Sequence, residues 1–425
     1  MKTTYHLSLV TRHSSLITRH SSLVTYHSSL VTHHRHFVTY HSLHCLLESG
    51  LFEGGVMAKA TPEGTRRYAQ RLGSVTARGH FRDRDGLLYS SIGLGTYLGR
   101  WDEHTDRSYQ ESISHAITLG CNVIDSAINY RFQRSERAIG AALKQVFDES
   151  RASRDEIIVA TKAGFFPFDG EPPRDARSWI VENVVEKGLA RPDEIVGGSH
   201  CMTPAYLEDQ LSRSLENLGL STVDIYYVHN PESQLESVSK DEFGARLRAA
   251  FEFLERAAAD GRIGCYGTAT WNGYRQEPGS PGYLSLSEVT AIAREVAGED
   301  HHFKVIQLPH NLAMPEAITL ANQPVDGETL SLLMAADRLG ITVMCSASMF
   351  QAKLAQNLPP FVGQALKGLS TDAQRAIQFV RSTPGVTTAL VGMSKRTHVD
   401  ENMAVAAVSP ASVEEFFSMF SSEDA

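Results

Sequence analysis

The feature that most restricts the fold of this chain is a regular alternation of short apolar runs with amphipathic segments. One such run lies at 157–161, and the stretch Pro204–Leu218 that leads to the next run has apolar residues at helical spacing. Strands that alternate with helices are typical of βαβ units and a parallel sheet. Counting from a first run at 89–96 gives eight alternations. They predict an α/β fold of the closed (β/α)8 type, a TIM barrel, whose further strands lie at 122–125, 157–161, 223–228, 263–269, 303–307, 341–345 and 386–391.

A β-hairpin is predicted just before the barrel. Asp85 and Gly86 give a strong two-residue turn signal between Phe81 and the apolar pair at 87–88. The residues before the hairpin, 57–78, are polar and basic, which indicates a lead-in segment. The predicted boundaries are therefore a lead-in at 57–78 and a barrel domain at 79–425.

Residues 1–56 differ in composition from the rest of the chain. From Thr11 the sequence repeats every seven residues, and no acidic residue occurs before Glu48. A coiled coil, an organellar transit peptide, a His-rich metal tract and translated repetitive DNA upstream of a start at Met57 are four interpretations of this pattern. Adjacent Ser pairs and β-branched residues disfavour the stable helix of a coiled coil. We favour the last interpretation and predict a disordered or spurious extension outside the fold.

The charge balance argues against some classes of function. Lys and Arg number 40 against 49 Asp and Glu, which does not suit a chain built mainly to hold nucleic acid or an anionic membrane. No apolar run approaches the length of a membrane-spanning helix. The five cysteines lack CxxC spacing, which predicts reduced core thiols in a cytoplasmic protein rather than a disulfide framework or a zinc site. The sequence leaves the oligomeric state open.

Four side chains that can carry chemistry fall at or just after the carboxyl ends of predicted strands. Asp125 ends the second strand, and Tyr130 lies in the loop that follows it. Lys162 ends the third strand, and His229 ends the fourth. Each alone has an ordinary structural explanation, such as a salt bridge between Asp125 and Lys162. The carboxyl ends of barrel strands converge around one mouth, however, so the four together predict a catalytic site.

In order and setting, these residues resemble the Asp, Tyr, Lys and His tetrad of the aldo-keto reductases. The family's signature around its acid and tyrosine is similar to IDSAINY…SERAIGAAL, and its lysine strand to VATKAG. Its histidine strand is similar to VDIYYVHNP, and its last strand with the cofactor segment resembles PGVTTALVGMSKRTHVDENM. The resemblance covers about residues 89–407. It implies an NAD(P)H-dependent oxidoreductase that reduces an aldehyde or ketone to an alcohol.

The chemistry of carbonyl reduction explains why these residue types belong together. No side chain supplies a hydride, so a nicotinamide must, while a weak acid near the carbonyl oxygen supplies the proton. The resemblance implies that Tyr130 is this acid and that the charge on Lys162 lowers its pKa. It further implies that Asp125 holds Lys162 in place and that His229 orients the carbonyl.

The resemblance also implies a cofactor site. Lys395 and Arg396 would meet a 2′-phosphate, which favours NADP, although NAD remains possible. The chain departs from the family pattern at three places. Ala-Thr at 269–270 replaces a Ser-Asn pair, and Ser346 replaces a tyrosine that stacks on the nicotinamide. His398 replaces an arginine. The implied contacts are Thr96, Asp125, Thr270, Gln307, Ser346, Ser394, Lys395, Arg396, Glu401 and Asn402.

Two long inserts are expected to shape the substrate pocket. The loop at 271–283 is aromatic, and the loop at 163–202 carries Phe165, Phe166, Phe168 and Trp179. Aromatic loops at the mouth suit an apolar carbonyl substrate, although they could equally pack on each other or on a neighbouring subunit. Two other functions remain: a nucleotide-binding regulatory barrel with little turnover, resembling the potassium-channel β subunits of the same family, and a metal-dependent barrel hydrolase. The departures at 269–270 and 346 keep the first open, and we expect no metal.

Overall fold

The computed structural model describes residues 59–420, which form one closed barrel and two small sheets. The strands are β1 (Phe81–Arg84), β2 (Leu87–Ser90), β3 (Ile92–Gly95), β4 (Val123–Asp125), β5 (Ile158–Ala163), β6 (Val223–His229), β7 (Ile263–Ala269), β8 (Phe303–Pro309), β9 (Ala321–Val325), β10 (Glu328–Ser331), β11 (Thr342–Ser346) and β12 (Thr388–Gly392). The barrel closes in the order β3-β4-β5-β6-β7-β8-β11-β12, and all its neighbouring strands are parallel. This confirms the predicted (β/α)8 barrel. The repeat predicted at 1–56 lies outside the described residues.

Helices separate the barrel strands along the chain. They are α1 (Pro62–Leu72), α2 (Glu103–Thr118), α3 (Arg134–Asp148), α4 (Ala176–Ile180), α5 (Pro204–Leu218), α6 (Lys240–Ala259), α7 (Leu286–Ala297), α8 (Glu316–Thr319), α9 (Leu332–Arg338), α10 (Pro360–Ala365), α11 (Asp372–Ser382), α12 (Arg396–Met403) and α13 (Val413–Ser418). The predicted bounds of α5 are confirmed because both ends carry strong signals. Thr203 caps its first turn, and Gly219 adopts the left-handed conformation (φ 63°) that ends it.

Helix α1 lies in the lead-in segment, for which the sequence predicted no helix. Thr61 accepts a hydrogen bond from the backbone N–H of Gly64, and the proline at the first helical position suits a helix start. Arg67 and Arg71 of α1 both form salt bridges with the nearly buried carboxylate of Glu156, just before β5. The segment therefore packs against the barrel through charged contacts as well as through the buried side chains of Tyr68 and Leu72.

The hairpin of β1 and β2 closes the amino-terminal end of the barrel. The two strands pair antiparallel around Asp85 and Gly86, both at positive φ, which confirms the predicted turn. Tyr89 of β2 packs in one apolar cluster with interior residues that include Val123 and Ile225. The opposite end, where the strands have their carboxyl termini, remains free for the loops that carry the predicted site.

The barrel interior is tightly packed. A Cβ atom built on Gly267 of β7 would lie only 1.7 Å from the backbone oxygen of Val305 on β8. Only glycine therefore allows this close approach of two strands. Among residues 59–420, no helix combines the length and apolar character needed to cross a membrane.

Candidate active site

A buried ion pair lies at the carboxyl end of the barrel. Lys162 Nζ donates hydrogen bonds to Asp125 Oδ2 at 2.7 Å and to the backbone oxygen of Ser126 at 2.5 Å. Gln307 Nε2 donates to the other carboxylate oxygen, Oδ1, at 2.8 Å. Burial lowers the pKa of Lys162, and the charge of Asp125 opposes that shift. Both carboxylate oxygens thus have a partner, and the ammonium group has a fixed position.

Tyr130 lies beside this ion pair. Lys162 Nζ is 5.0 Å from the centroid of the Tyr130 ring, a distance typical of a cation–π contact. The rings of Tyr97 and His229 contact the Tyr130 ring edge-on, with centroid separations of 5.0 and 5.8 Å. Within residues 59–420 the Tyr130 hydroxyl forms no hydrogen bond, although the residue lines the cavity described below. Its O–H is therefore available to a ligand.

The pKa of Tyr130 shifts in the direction opposite to that predicted from the sequence. Burial raises it well above the ordinary value, and the negative charge of Asp125 raises it further. In this structure Tyr130 is thus a protonated phenol over the whole neutral range.

His229 is a neutral imidazole held in one orientation. Burial and the nearby charge of Lys162 lower its pKa well below the ordinary value. Its Nδ1 atom is buried and has no partner within residues 59–420, so a proton there would be an unsatisfied donor, and the favoured tautomer carries the proton on Nε2. His200 Nε2 donates to the His229 backbone oxygen at 2.7 Å, and Phe165 packs edge-on to the ring at 5.0 Å. His229 can therefore offer one N–H donor to the cavity.

These side chains open into one cavity of about 740 Å³. Asp125, Tyr130 and His229 line it, whereas Lys162 lies fully buried behind them. The volume falls within the range of about 300–1,000 Å³ that is typical of ligand pockets. The tetrad predicted from the sequence is thus brought together at a cavity large enough for a ligand.

Most of the predicted cofactor contacts line the same cavity, namely Thr96, Asp125, Thr270, Gln307, Ser346, Ser394, Glu401 and Asn402. Thr270 is 4% exposed, and its Oγ1 has no hydrogen-bond partner among the residues that the structure describes. A buried polar atom left open in a cavity wall fits the polar carboxamide of a nicotinamide. The hydroxyl of Thr96 differs because it already donates to the backbone oxygen of Asp125, at 3.1 Å.

The two predicted cations do not line the cavity. Lys395 and Arg396 are exposed at the start of α12, outside the wall. His398 of the same helix does line it, at the position where the family often has arginine. Contact of Lys395 and Arg396 with a 2′-phosphate therefore stays a prediction.

Tyr97 and Asn129 are among the cavity residues that the sequence analysis missed. Tyr97 directly follows Thr96 at the end of β3, and Asn129 precedes Tyr130; both line the cavity. The rule that strand ends converge at the mouth, applied to the loop after β3, would have found Tyr97. Asn129 carries no comparable signal in the sequence.

The aromatic residues of the first insert divide between two roles. Phe165 lines the cavity, as does Trp271 of the second insert. The other three, Phe166, Phe168 and Trp179, pack with each other in a small separate apolar cluster. Packing of these aromatic side chains on each other is therefore observed, whereas their role toward an apolar substrate stays a prediction.

The model of the Aldo/keto reductase family matches residues 91–276, which include all four tetrad positions. Over this range the chain resembles the family, as its sequence motifs predicted. Among curated proteins, it is 24% identical over 335 residues to a putative voltage-gated potassium channel subunit beta of Schizosaccharomyces pombe, a match that covers 76% of this chain and 86% of that protein. It is 30% identical over 154 residues to an NADP(+) aldo-keto reductase of the same organism, which covers 35% of each chain. It is 28% identical over 148 residues to an NADH-specific methylglyoxal reductase of Escherichia coli, which covers 34% of this chain and 39% of the enzyme.

Solved structures with other sequences share the barrel fold. An aldo/keto reductase of Klebsiella pneumoniae in complex with NADP and acetate superposes with a TM-score of 0.54 at 19% identity, over 81% of this chain and 94% of that one. A glycerol dehydrogenase of Gluconobacter oxydans gives a TM-score of 0.56 at 19% identity, over 81% and 95%. At these identities the likeness establishes the barrel architecture alone.

Proposed function

We propose that this protein catalyses NAD(P)H-dependent reduction of an aldehyde or ketone to the alcohol. The observation that carries the proposal is the joint position of Tyr130, Lys162 and His229. A phenol with a free hydroxyl stands beside a fixed ammonium and a neutral imidazole, at a ligand-sized cavity. A bound nicotinamide would supply the hydride, which no side chain can provide.

Tyr130 is the proton donor in this proposal. Its raised pKa keeps the phenol protonated at neutral pH, which is the form that a general acid needs. The oxygen that gains negative charge during reduction is a far stronger base than a phenolate, so the proton moves toward it. Lys162 then stabilises the phenolate that remains, because its ammonium lies 5.0 Å from the ring centroid.

His229 positions the carbonyl oxygen. Its Nε2–H can donate one hydrogen bond, and its ring lies against that of Tyr130. Two donors that converge on one oxygen place the substrate and stabilise the negative charge that develops there. His229 stays neutral throughout, because burial disfavours the imidazolium form.

NADPH is the cofactor we propose, with NADH as the alternative. Thr270, Gln307, Ser394, Glu401 and Asn402 line the cavity and offer polar groups along it. Lys395 and Arg396 stand just outside, where their long side chains can reach a 2′-phosphate. The solved structure with NADP and the NADP(+)-named relative support this choice, whereas the NADH-specific relative keeps the alternative open.

A second candidate function is a regulatory barrel that binds the nucleotide but turns over slowly. The match to the putative channel subunit, which spans most of both chains, favours it. Ala269 and Ser346 also favour it, because they offer fewer ring contacts than the residues they replace. Rapid turnover of any aldehyde would remove this candidate.

The test is a turnover assay of the purified protein with NADPH and a panel of reactive aldehydes, followed by loss of nicotinamide absorbance. We expect turnover with at least one aldehyde and a loss of about 100-fold or more in Tyr130→Phe, since the general acid is removed. Tyr227→Phe is the matched control. It removes another buried phenol near Lys162, with 5.9 Å from its ring centroid to Nζ, and this residue does not line the cavity. Equal rates in the wild type and Tyr130→Phe would refute the role of Tyr130.

A further inference from the structure

The backbone that follows Tyr130 adopts an unusual conformation. Arg131, Phe132 and Gln133 all have positive φ, at 49°, 57° and 70°, and none of them is glycine. The left-handed region is disfavoured for residues with a Cβ atom, and three in succession are rare. Such a turn persists only where the surrounding contacts determine it.

Arg131 makes most of these contacts through a side chain that is only 2% exposed. Its Nε donates to the backbone oxygen of Arg100 at 2.8 Å, and its Nη2 forms an ion pair with Asp106 of α2. Its guanidinium also lies over the ring of Tyr109, 5.2 Å from the centroid. One side chain thus ties the turn after β4 to helix α2 and to the loop after β3.

The other two residues of the turn are held by different partners. The Phe132 ring packs edge-on to Trp101 at 5.3 Å, and Gln133 Nε2 donates to the backbone oxygen of Pro167 at 2.9 Å. These contacts fix the far end of the turn. The end next to Tyr130 depends on Arg131.

The position of Arg131 in the chain allows it to affect the position of Tyr130, the proposed acid. Its Cα is one peptide unit from that of Tyr130, so a change in the Arg131 backbone moves the phenol directly. Tyr109, which contacts Arg131, also lines the cavity and donates its hydroxyl to the backbone oxygen of Leu98 at 2.6 Å. Arg131 therefore supports two walls of the site without lining it.

We propose that Arg131, paired with Asp106, is a positioning residue that holds the Tyr130 phenol in line for proton transfer. This inference rests on the proposed carbonyl reduction. A planar guanidinium suits the task because it donates in several fixed directions at once, which the single ammonium of lysine cannot do.

The chain offers a matched control in Arg134. It pairs with the other carboxylate oxygen of the same aspartate, Asp106 Oδ2, at 2.5 Å, but from helix α3 and with a side chain 23% exposed. Loss of Arg134 removes a comparable ion pair while the left-handed turn keeps its anchor. A purely structural role of the Asp106 cluster would make the two arginines equivalent.

The test compares Arg131→Ala, Arg131→Lys and Arg134→Ala in aldehyde reduction. In Arg131→Ala we expect kcat to fall about 100-fold, because a shift of the acid by about 1 Å has an effect of that size. The KM for the aldehyde and the Kd for NADPH should stay within about threefold, since Arg131 does not line the cavity. Arg131→Lys should fold like the wild type and still lose about tenfold in kcat. Arg134→Ala should stay within about threefold of the wild type.

Added guanidinium ion supplies the decisive control. It should restore part of kcat in Arg131→Ala, where it can occupy the vacated space, and leave Arg134→Ala unchanged. Equal losses in the two arginine variants, or an unchanged kcat in Arg131→Ala, would overturn the proposal.

A second readout keeps this test separate from the proposed function. The readout is the ionisation of Tyr130, followed by absorbance in an alkaline titration. The signal of Tyr130 is obtained by subtracting the titration of the same protein that carries Tyr130→Phe. In Arg131→Ala this ionisation should move to lower pH, because a loosened turn admits water to a phenol whose pKa burial raises. If the wild type reduces no aldehyde, the proposed function is refuted, but the titration still tests the positioning role of Arg131. An unchanged titration in Arg131→Ala would refute that positioning role.

Discussion

Replacing Asp125 by Asn isolates the energetics of the buried ion pair. The substitution keeps the size of the side chain and removes the charge that faces Lys162 Nζ at 2.7 Å. The lysine is fully buried, so in the variant it must either remain charged without a carboxylate or lose its proton. The variant takes whichever state is lower in free energy.

The loss of stability should depend on pH. Leaving one charge of a buried ion pair without its partner lowers the free energy of unfolding by about 3–5 kcal/mol. Deprotonating a lysine costs about 1.4 kcal/mol for each pH unit below its ordinary pKa of about 10.4, hence about 6 kcal/mol at pH 6 and about 2 kcal/mol at pH 9. The variant should therefore lose about 3–5 kcal/mol at pH 6 and at most about 2 kcal/mol at pH 9. The sign follows from linkage: burial lowers the folded pKa of Lys162, so the unfolded chain binds more protons and stability rises with pH up to the ordinary lysine pKa.

The assay is urea unfolding of the wild type and Asp125→Asn at pH 6 and pH 9, followed by tryptophan fluorescence. Most other titrating groups contribute equally to the pH dependence of stability in both proteins, so their contributions cancel in the difference. The double variant Asp125→Asn with Lys162→Met serves as the control, because it removes the orphaned charge and should be more stable than Asp125→Asn at pH 6. An equal loss of stability at both pH values would refute the reasoning.

Three further variants test separate parts of the structure. Gly267→Ala should destabilise the barrel by about 3 kcal/mol in urea unfolding, because its Cβ would overlap the Val305 carbonyl oxygen. Gly244→Ala in α6 is the control. A Cβ there meets nothing within 4 Å, so this variant should be neutral or slightly stabilising. Comparable losses in both would contradict this account. Thr270→Val should raise the Kd for NADPH about fivefold in fluorescence titration while Thr270→Ser does not, and unchanged binding would show that the free hydroxyl does not contact the cofactor. His398→Arg should lower the Kd for NADPH about fivefold and leave the Kd for NADH unchanged, and equal effects on both nucleotides would argue against a 2′-phosphate at this wall.

The barrel was predictable because its signals are local and repeated. Each strand is a short apolar run, and helices such as α5 have strong caps at both ends. The carboxyl ends of such strands must converge, which is enough to bring Asp125, Lys162 and His229 together. Helix α1 escaped prediction because its contacts with the barrel include charged pairs between residues distant in sequence, such as Arg71 and Glu156.

The finer properties of the site depend on burial and on neighbours that a sequence does not reveal. The lowered pKa expected for Tyr130 followed from the proximity of Lys162, but removal of water from the phenol reverses the direction. The sequence also does not reveal that Gln307, a predicted cofactor contact that lines the cavity, donates a hydrogen bond to Asp125. The left-handed turn at 131–133 has no glycine to signal it, so its role could only be inferred from the structure.

The insert between β5 and α5 carries its own miniature core of Phe166, Phe168 and Trp179, while Phe165 alone faces the cavity. The cavity wall and the core of the insert therefore use different side chains of one loop. We expect replacement of Phe165 to change the cavity wall beside His229 while the separate core of the insert stays intact.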